Sequence, residues 1–154
     1  WYLSNCAPEL RDVKHSRLTI VGRISKSLRS EFETFGADVV GAVDDLQPYF
    51  DKARVFIAPT RFAAGIPLKV YTAAAAGVPV VSSCLIGRQL GWQKSPAIST
   101  SDDPVEFAAN VRQLLFDDAR WTSQSVAALE HVLTECLPEA FAEKVRGAVA
   151  VTPR

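Results

Sequence analysis

Apolar residues along this chain fall in short β-branched runs, each followed by a stretch of helical spacing. Leu18-Thr19-Ile20-Val21 is closed by Gly22, and Ser25 to Phe35 then reads as an amphipathic helix. The same pair recurs three times: Asp38-Val39-Val40-Gly41 with Asp44 to Phe50, Val55-Phe56-Ile57-Ala58 with Ile66 to Ala76, and Pro79-Val80-Val81-Ser82 with Leu85 to Leu90. Strands alternating with helices at this period predict βαβ units around a parallel sheet. Ala97-Ile98-Ser99 is a last short strand. Helices are expected over Pro104 to Phe116, entered through Asp102-Asp103, then over Ala119 to Leu137 and Pro138 to Val149, so the C-terminal end is all helical. Ahead of the first strand, Leu3, Cys6, Ala7 and Leu10 carry helical spacing between Trp1 and Val13. Phe107, Val111, Leu114 and Leu115 form one predicted packing face, and Ala127, Leu129, Val132 and Leu133 another.

No internal repeat, low-complexity tract or long linker interrupts the pattern, so residues 1–154 are expected to form a single Rossmann-like α/β domain. At 48% hydrophobic content the chain can bury a substantial core. Seventeen basic residues balance seventeen acidic ones, so no net field favours nucleic acid or an anionic membrane. The longest apolar runs fall far short of the roughly 20 residues that span a bilayer. Cys6, Cys84 and Cys136 are odd in number and lack metal-ligand spacing, which suggests reduced thiols and a cytoplasmic setting. Cys84 follows a strand-like run and is expected to be a buried structural thiol; Trp92 and Trp121 are expected to be packing residues on helical or loop surfaces. The chain opens on Trp1 and contains no methionine, so further residues are expected ahead of it.

In an open parallel sheet, ligands gather at the C-terminal ends of strands, where helix N-termini offer free amide donors and positive partial charge to phosphate. The strongest candidate is the loop after Val55 to Ala58, Pro59-Thr60-Arg61-Phe62-Ala63-Ala64-Gly65-Ile66-Pro67, which opens onto a helix. Gly65 permits close backbone approach, Pro67 suits a first helical turn, and Arg61 and Lys69 add charge. Taken alone, these residues are equally compatible with turn punctuation and solvated cations.

Val55 to Ser83, VFIAPTRFAAGIPLKVYTAAAAGVPVVSS, resembles the donor-site segment of group 1 retaining glycosyltransferases. Leu18 to Gly22, Val40 to Leu46 and Asp102 to Ala108 match neighbouring landmarks of that family in order. The resemblance implies the C-terminal, donor-binding lobe of a two-lobed GT-B enzyme, a Rossmann-like parallel sheet flanked by helices. It implies a nucleoside diphosphate sugar as donor, transfer with retention to an acceptor, no metal cofactor, and an N-terminal acceptor lobe as partner. By position, Gly65 and the amides of Ile66 to Lys69 would face the diphosphate, and Val43 would present backbone groups to the base with Asp45 nearby. Arg61 and Lys69 would meet phosphate or a structural carboxylate. Thr72 stands where the family has a glutamate for the ribose hydroxyls, and Ala64 takes the place of the family's other acidic residue. Catalysis in this family is electrostatic, so no nucleophile is expected here and the catalytic residues stay unassigned.

Family members begin this lobe with a strand and phosphate-binding loop absent from these residues. The missing strand would be central, between those at Leu18 and Val55. The rival readings are a degenerate, non-catalytic GT-B-like module kept for interaction or regulation, favoured by the two absent carboxylates, or another GT-B enzyme such as a nucleotide-sugar epimerase, or an unrelated phosphate-binding α/β domain.

Overall fold

The computed structural model describes residues 1–13 and 17–137, together with Glu139, Ala142 and Arg146. His15, and apart from those three positions the helix expected over Pro138 to Val149, lie outside the described residues. The elements run β1 (Thr19–Val21), α1 (Lys26–Thr34), β2 (Asp38–Gly41), α2 (Gln47–Phe50), β3 (Phe56–Ala58), α3 (Leu68–Ala75), β4 (Val80–Ser82), α4 (Cys84–Leu90), β5 (Ile98–Thr100), α5 (Pro104–Phe116) and α6 (Asp118–Cys136).

Their boundaries follow local chemistry. The Ser25 hydroxyl accepts the Leu28 amide at 3.3 Å to start α1, Asp103 accepts the Glu106 amide at 2.8 Å ahead of Pro104, and Asp117 accepts the Arg120 amide at 2.9 Å. Gly91, at φ 73°, closes α4 in the left-handed conformation. Leu137 turns extended at the end of α6, as a residue preceding proline must.

Two helices differ from the pattern. Between Trp1 and Val13 the chain forms a π-helical turn, Tyr2–Cys6, and a 3₁₀ turn, Ala7–Leu10, instead of one α-helix. Pro8 lacks the amide that a continuous α-helix would need there. The helix expected from Asp44 begins only at Gln47, because the Asp45 carboxylate accepts the Gln47 amide at 2.8 Å and fixes a turn ahead of Pro48.

All strand pairs are parallel, but the sheet is in two pieces. Thr19 pairs with Asp38 and Ile20 with Val39, with a register shift before Val21. In the second piece β3, β4 and β5 align through Phe56 with Val80 and Val80 with Ile98. Between the pieces lies a groove of about 940 Å³ whose walls include Thr19 and Val21 on one side and Phe56 and Ile57 on the other. It occupies the position at which the sequence predicts a gap for a central strand.

The core is built around β4, which is buried along its length. Val80 faces Val70, Ala73, Ala74, Ile86, Trp92 and Ala128 of one cluster, while Val81 faces Cys6, Phe107, Val111 and Leu114 of the other. Adjacent strand residues point to opposite faces, so this short valine run serves two layers. Trp92 is fully buried, deeper than the surface position expected, whereas Trp121 is half-buried and donates its indole N–H to the Arg54 carbonyl at 2.7 Å. Leu129 and Leu133, expected to pack inward, are exposed. The inner side of α6 uses smaller groups instead: Ala128 is buried, Ser125 Oγ donates to the Gly77 carbonyl at 2.6 Å, and Gln124 donates to the Val80 carbonyl at 2.7 Å. Cys84 is half-buried as the first residue of α4, not a buried strand thiol.

Candidate functional site

The loop after β3 is anchored by side chains from three neighbouring elements. Ser83 Oγ donates to the Thr60 carbonyl at 2.6 Å, Lys69 Nζ donates to Thr60 Oγ1 at 2.7 Å, and Gln89 Nε2 donates to the Ala63 carbonyl at 3.1 Å. Arg61 lies over the Trp1 ring, 5.0 Å from its centroid, and its guanidinium is 3.6 Å from the Asp102 carboxylate. Of the two partners open to Arg61 in the sequence, phosphate or a structural carboxylate, the structure supplies the carboxylate. Asp102 also accepts the Cys84 amide at 3.1 Å, so one carboxylate ties the loop after β3 to the start of α4 and the end of β5.

Gly65 and Ile66 are exposed at the far end of this loop. Gly65 holds φ 89°, a conformation that favours glycine, and a Cβ there would meet nothing within 4 Å. Of the amides from Ile66 to Lys69, Pro67 has none and that of Leu68 donates to the Ile66 carbonyl at 2.9 Å. Among the described residues the amides of Ile66 and Lys69 have no backbone acceptor.

Lys69 and Thr72, one turn apart on α3, both line the groove between the two sheet pieces, together with Asp38, Tyr49 and Lys52. Burial lowers the Lys69 pKa, because an ammonium drawn from water loses hydration. Its Nζ donates to a neutral threonine hydroxyl and not to a carboxylate. Thr72 Oγ1 donates to the Leu68 carbonyl at 3.0 Å, which commits its proton and leaves its lone pairs to accept.

Val43 and Asp45 follow β2, Val43 half-buried and Asp45 exposed. The Asp45 carboxylate caps the Gln47 amide, and neither residue is among those that line the groove. The structure therefore brings Lys69 and Thr72 together on one wall, places Gly65 and Ile66 at the adjoining helix start, and turns Arg61 toward Asp102. Thr60, Gln89 and Asp102 were missed by sequence reasoning. The one available signal was the Asp102-Asp103 doublet, since a single aspartate suffices to cap α5. Among the described residues no cluster of three or more His, Cys, Asp or Glu side chains could hold a metal ion. Cys6 is a poor nucleophile, its thiol pushed up to about 11 chiefly by burial.

Parallel strands crossed by helices, in two pieces with a groove at the break between them, define a doubly wound α/β domain. The chain belongs to the group 1 glycosyl transferases, whose family profile matches residues 1–117. Among solved structures it is similar to sucrose-phosphate synthase from Thermosynechococcus elongatus, with a TM-score of 0.73 at 18% identity over 97% of this chain and 43% of that one. It is also similar to WaaG, a glycosyltransferase involved in lipopolysaccharide biosynthesis, with a TM-score of 0.69 at 14% identity over 99% of this chain and 42% of that one. The chain thus spans less than half the length of these GT-B structures, and the likeness is one of fold. No curated protein sequence matches it. No helix among the described residues is long and apolar enough to cross a membrane.

Proposed function

We propose that this chain is the donor-binding lobe of a glycosyltransferase that moves a sugar, with retention, from a nucleoside diphosphate sugar to an acceptor held by an N-terminal lobe. The observation that carries this reading is Lys69, in the first turn of α3, on the groove wall together with Thr72. The Ile66 and Lys69 amides and the Lys69 ammonium would stabilise the departing diphosphate, where transfer of this kind develops negative charge. Thr72 would accept a ribose hydroxyl, and Val43 and Asp45 would border the base. No metal is required, since backbone donors and lysine supply the positive potential. We place the protein in the cytoplasm, in keeping with the free thiols of Cys6, Cys84 and Cys136. Residues 1–154 act as one unit that does not transfer sugar alone.

The absence of carboxylates at Ala64 and Thr72 favours a second reading, a GT-B-like module that has kept the fold for interaction and lost the chemistry. Titration of UDP and GDP followed by calorimetry separates the two. Saturable binding that is lost in Lys69→Ala supports the donor lobe. Absence of binding by a folded chain that includes the strand of the central gap overturns it and leaves the interaction module.

A further inference from the structure

Away from the loop after β3, a line of polar side chains joins the turn between α4 and β5 to the last turns of α6. Ser95 Oγ lies 2.7 Å from His131 Nε2, and His131 Nδ1 lies 3.6 Å from Glu135 Oε1. The Ala97 amide donates to Ser95 Oγ at 3.1 Å, so the hydroxyl proton of Ser95 is free to point at His131. With Ser95 as donor Nε2 accepts, and in that tautomer the imidazole proton is on Nδ1, the nitrogen on the Glu135 side. Glu135 is itself fixed by two ring donors, Tyr71 at 2.7 Å and Trp92 Nε1 at 3.0 Å. Burial, reinforced by that hydrogen bond, raises the pKa of the Tyr71 hydroxyl and keeps it a donor. The His131 ring packs on Trp92 with centroids 5.0 Å apart.

Holding Trp92 and Tyr71 requires only the Glu135 carboxylate; it requires neither an imidazole nor a serine aligned with it. The order of exposure also suits chemistry: the carboxylate is the more covered at 24% and the imidazole the more open at 36%. We propose that Ser95 is a nucleophilic serine activated by His131, with Glu135 as the positioning residue, and that it accepts acyl groups from small activated esters. The donor-lobe reading plays no part in this proposal. His131 Nε2 takes the Ser95 proton as Oγ attacks the ester carbonyl carbon. The ester C–O bond breaks, and the departing alkoxide takes that proton to leave as an alcohol. Water then attacks the acyl-serine through the same base, releasing a carboxylic acid and restoring Ser95.

A fluorophosphonate probe tests this on the 154-residue chain, read by intact mass and peptide mapping. One adduct is expected, on Ser95, absent in Ser95→Ala and formed at least about 100-fold more slowly in His131→Asn, the usual contribution of a general base. Of the titratable groups along this line, Glu135 lies on the helix of His131 itself, and Tyr71 reaches it from α3 through the Glu135 carboxylate. The labelling rate should rise with one deprotonation in the parent chain, and that pH dependence should vanish in His131→Asn, a change that a merely structural histidine would not produce. Neither substitution touches the Glu135 bonds to Tyr71 and Trp92, and circular dichroism checks that both variants fold. A folded parent chain left unlabelled at Ser95, or equal rates in parent and His131→Asn, overturns the proposal.

Discussion

Replacing Thr72 with glutamate restores the carboxylate that the donor-site pattern carries at this position, and the structure sets what should follow. Thr72 is exposed in the middle of α3 and lines the groove, so the longer side chain meets solvent and not the core. The lost bond from Thr72 Oγ1 to the Leu68 carbonyl is a back-bond within a helix whose own ladder remains, and glutamate is the better helix former by a few tenths of a kcal/mol. Folding is therefore unaffected. A hydrogen bond from a ribose hydroxyl to a carboxylate is worth about 1.5 to 3 kcal/mol, against about 1 kcal/mol to a neutral hydroxyl. The net gain of about 0.5 to 2 kcal/mol corresponds to roughly 2- to 30-fold in affinity. The new carboxylate also lies one turn from Lys69, where it offsets part of the ammonium's attraction for a diphosphate and draws the expected gain toward the lower end of that range. Calorimetric titration of UDP and GDP into both forms, with the strand of the central gap supplied, measures the change. Equal affinity in the two forms would refute the placement of the ribose against Thr72, and weaker binding to the glutamate form would show that diphosphate occupies that part of the wall.

Two further predictions concern what holds the scaffold. Arg112 bonds both carboxylate oxygens of Asp12, at 2.8 and 2.6 Å, and its bond lowers the Asp12 pKa below the ordinary 3.8. A depressed carboxylate contributes stability that is full above its unfolded value and is lost as pH falls through the folded one. The difference in Tm between the parent chain and Asp12→Asn should therefore be constant near neutrality and shrink in acid below about pH 4; a constant difference throughout would refute it. Gln124, only 4% exposed, donates to the Val80 carbonyl at 2.7 Å and accepts from Ser99 Oγ at 2.9 Å. Gln124→Ala leaves both groups buried without that partner and should cost about 2 to 4 kcal/mol, or about 5 to 15 °C in Tm by calorimetry; a shift within 2 °C or so would show that water takes over its role.

The strands were legible because each is a β-branched run bounded by turn residues, and α5 because Asp103, Pro104 and its apolar spacing agree. The helical segment from Trp1 failed where Pro8 removes an amide, a feature visible in the sequence but outweighed by periodicity. Leu129 and Leu133 misled for a different reason. The helix with the tighter fit buries alanine and glutamine, and hydrophobicity alone does not show which stripe approaches α3 closely. At the candidate site, Gly65, Ile66, Lys69 and Thr72 could be placed because strand, loop and helix are contiguous in sequence. The role of Asp102 could not, since Cys84 and Arg61 lie 18 and 41 residues away and nothing local announces their meeting.

The break in the sheet has a thermodynamic consequence. β1, β2 and α1 pack mainly on one another, α1 has no buried residue, and neither apolar cluster draws a member from β1, β2 or α1. Two short paired strands form a marginal unit in water, whereas β4 is locked between layers. Within the one domain, the β1–β2 region is accordingly the shallower part. The β1–β2 unit can open in native conditions at a free energy well below that of global unfolding, exchanging its amide protons while β4 remains protected. Whatever fills the groove, whether ligand or polypeptide, couples the two parts, and its binding would register as slowed exchange at Ile20 and Val39, whose neighbours Thr19, Val21 and Asp38 line it.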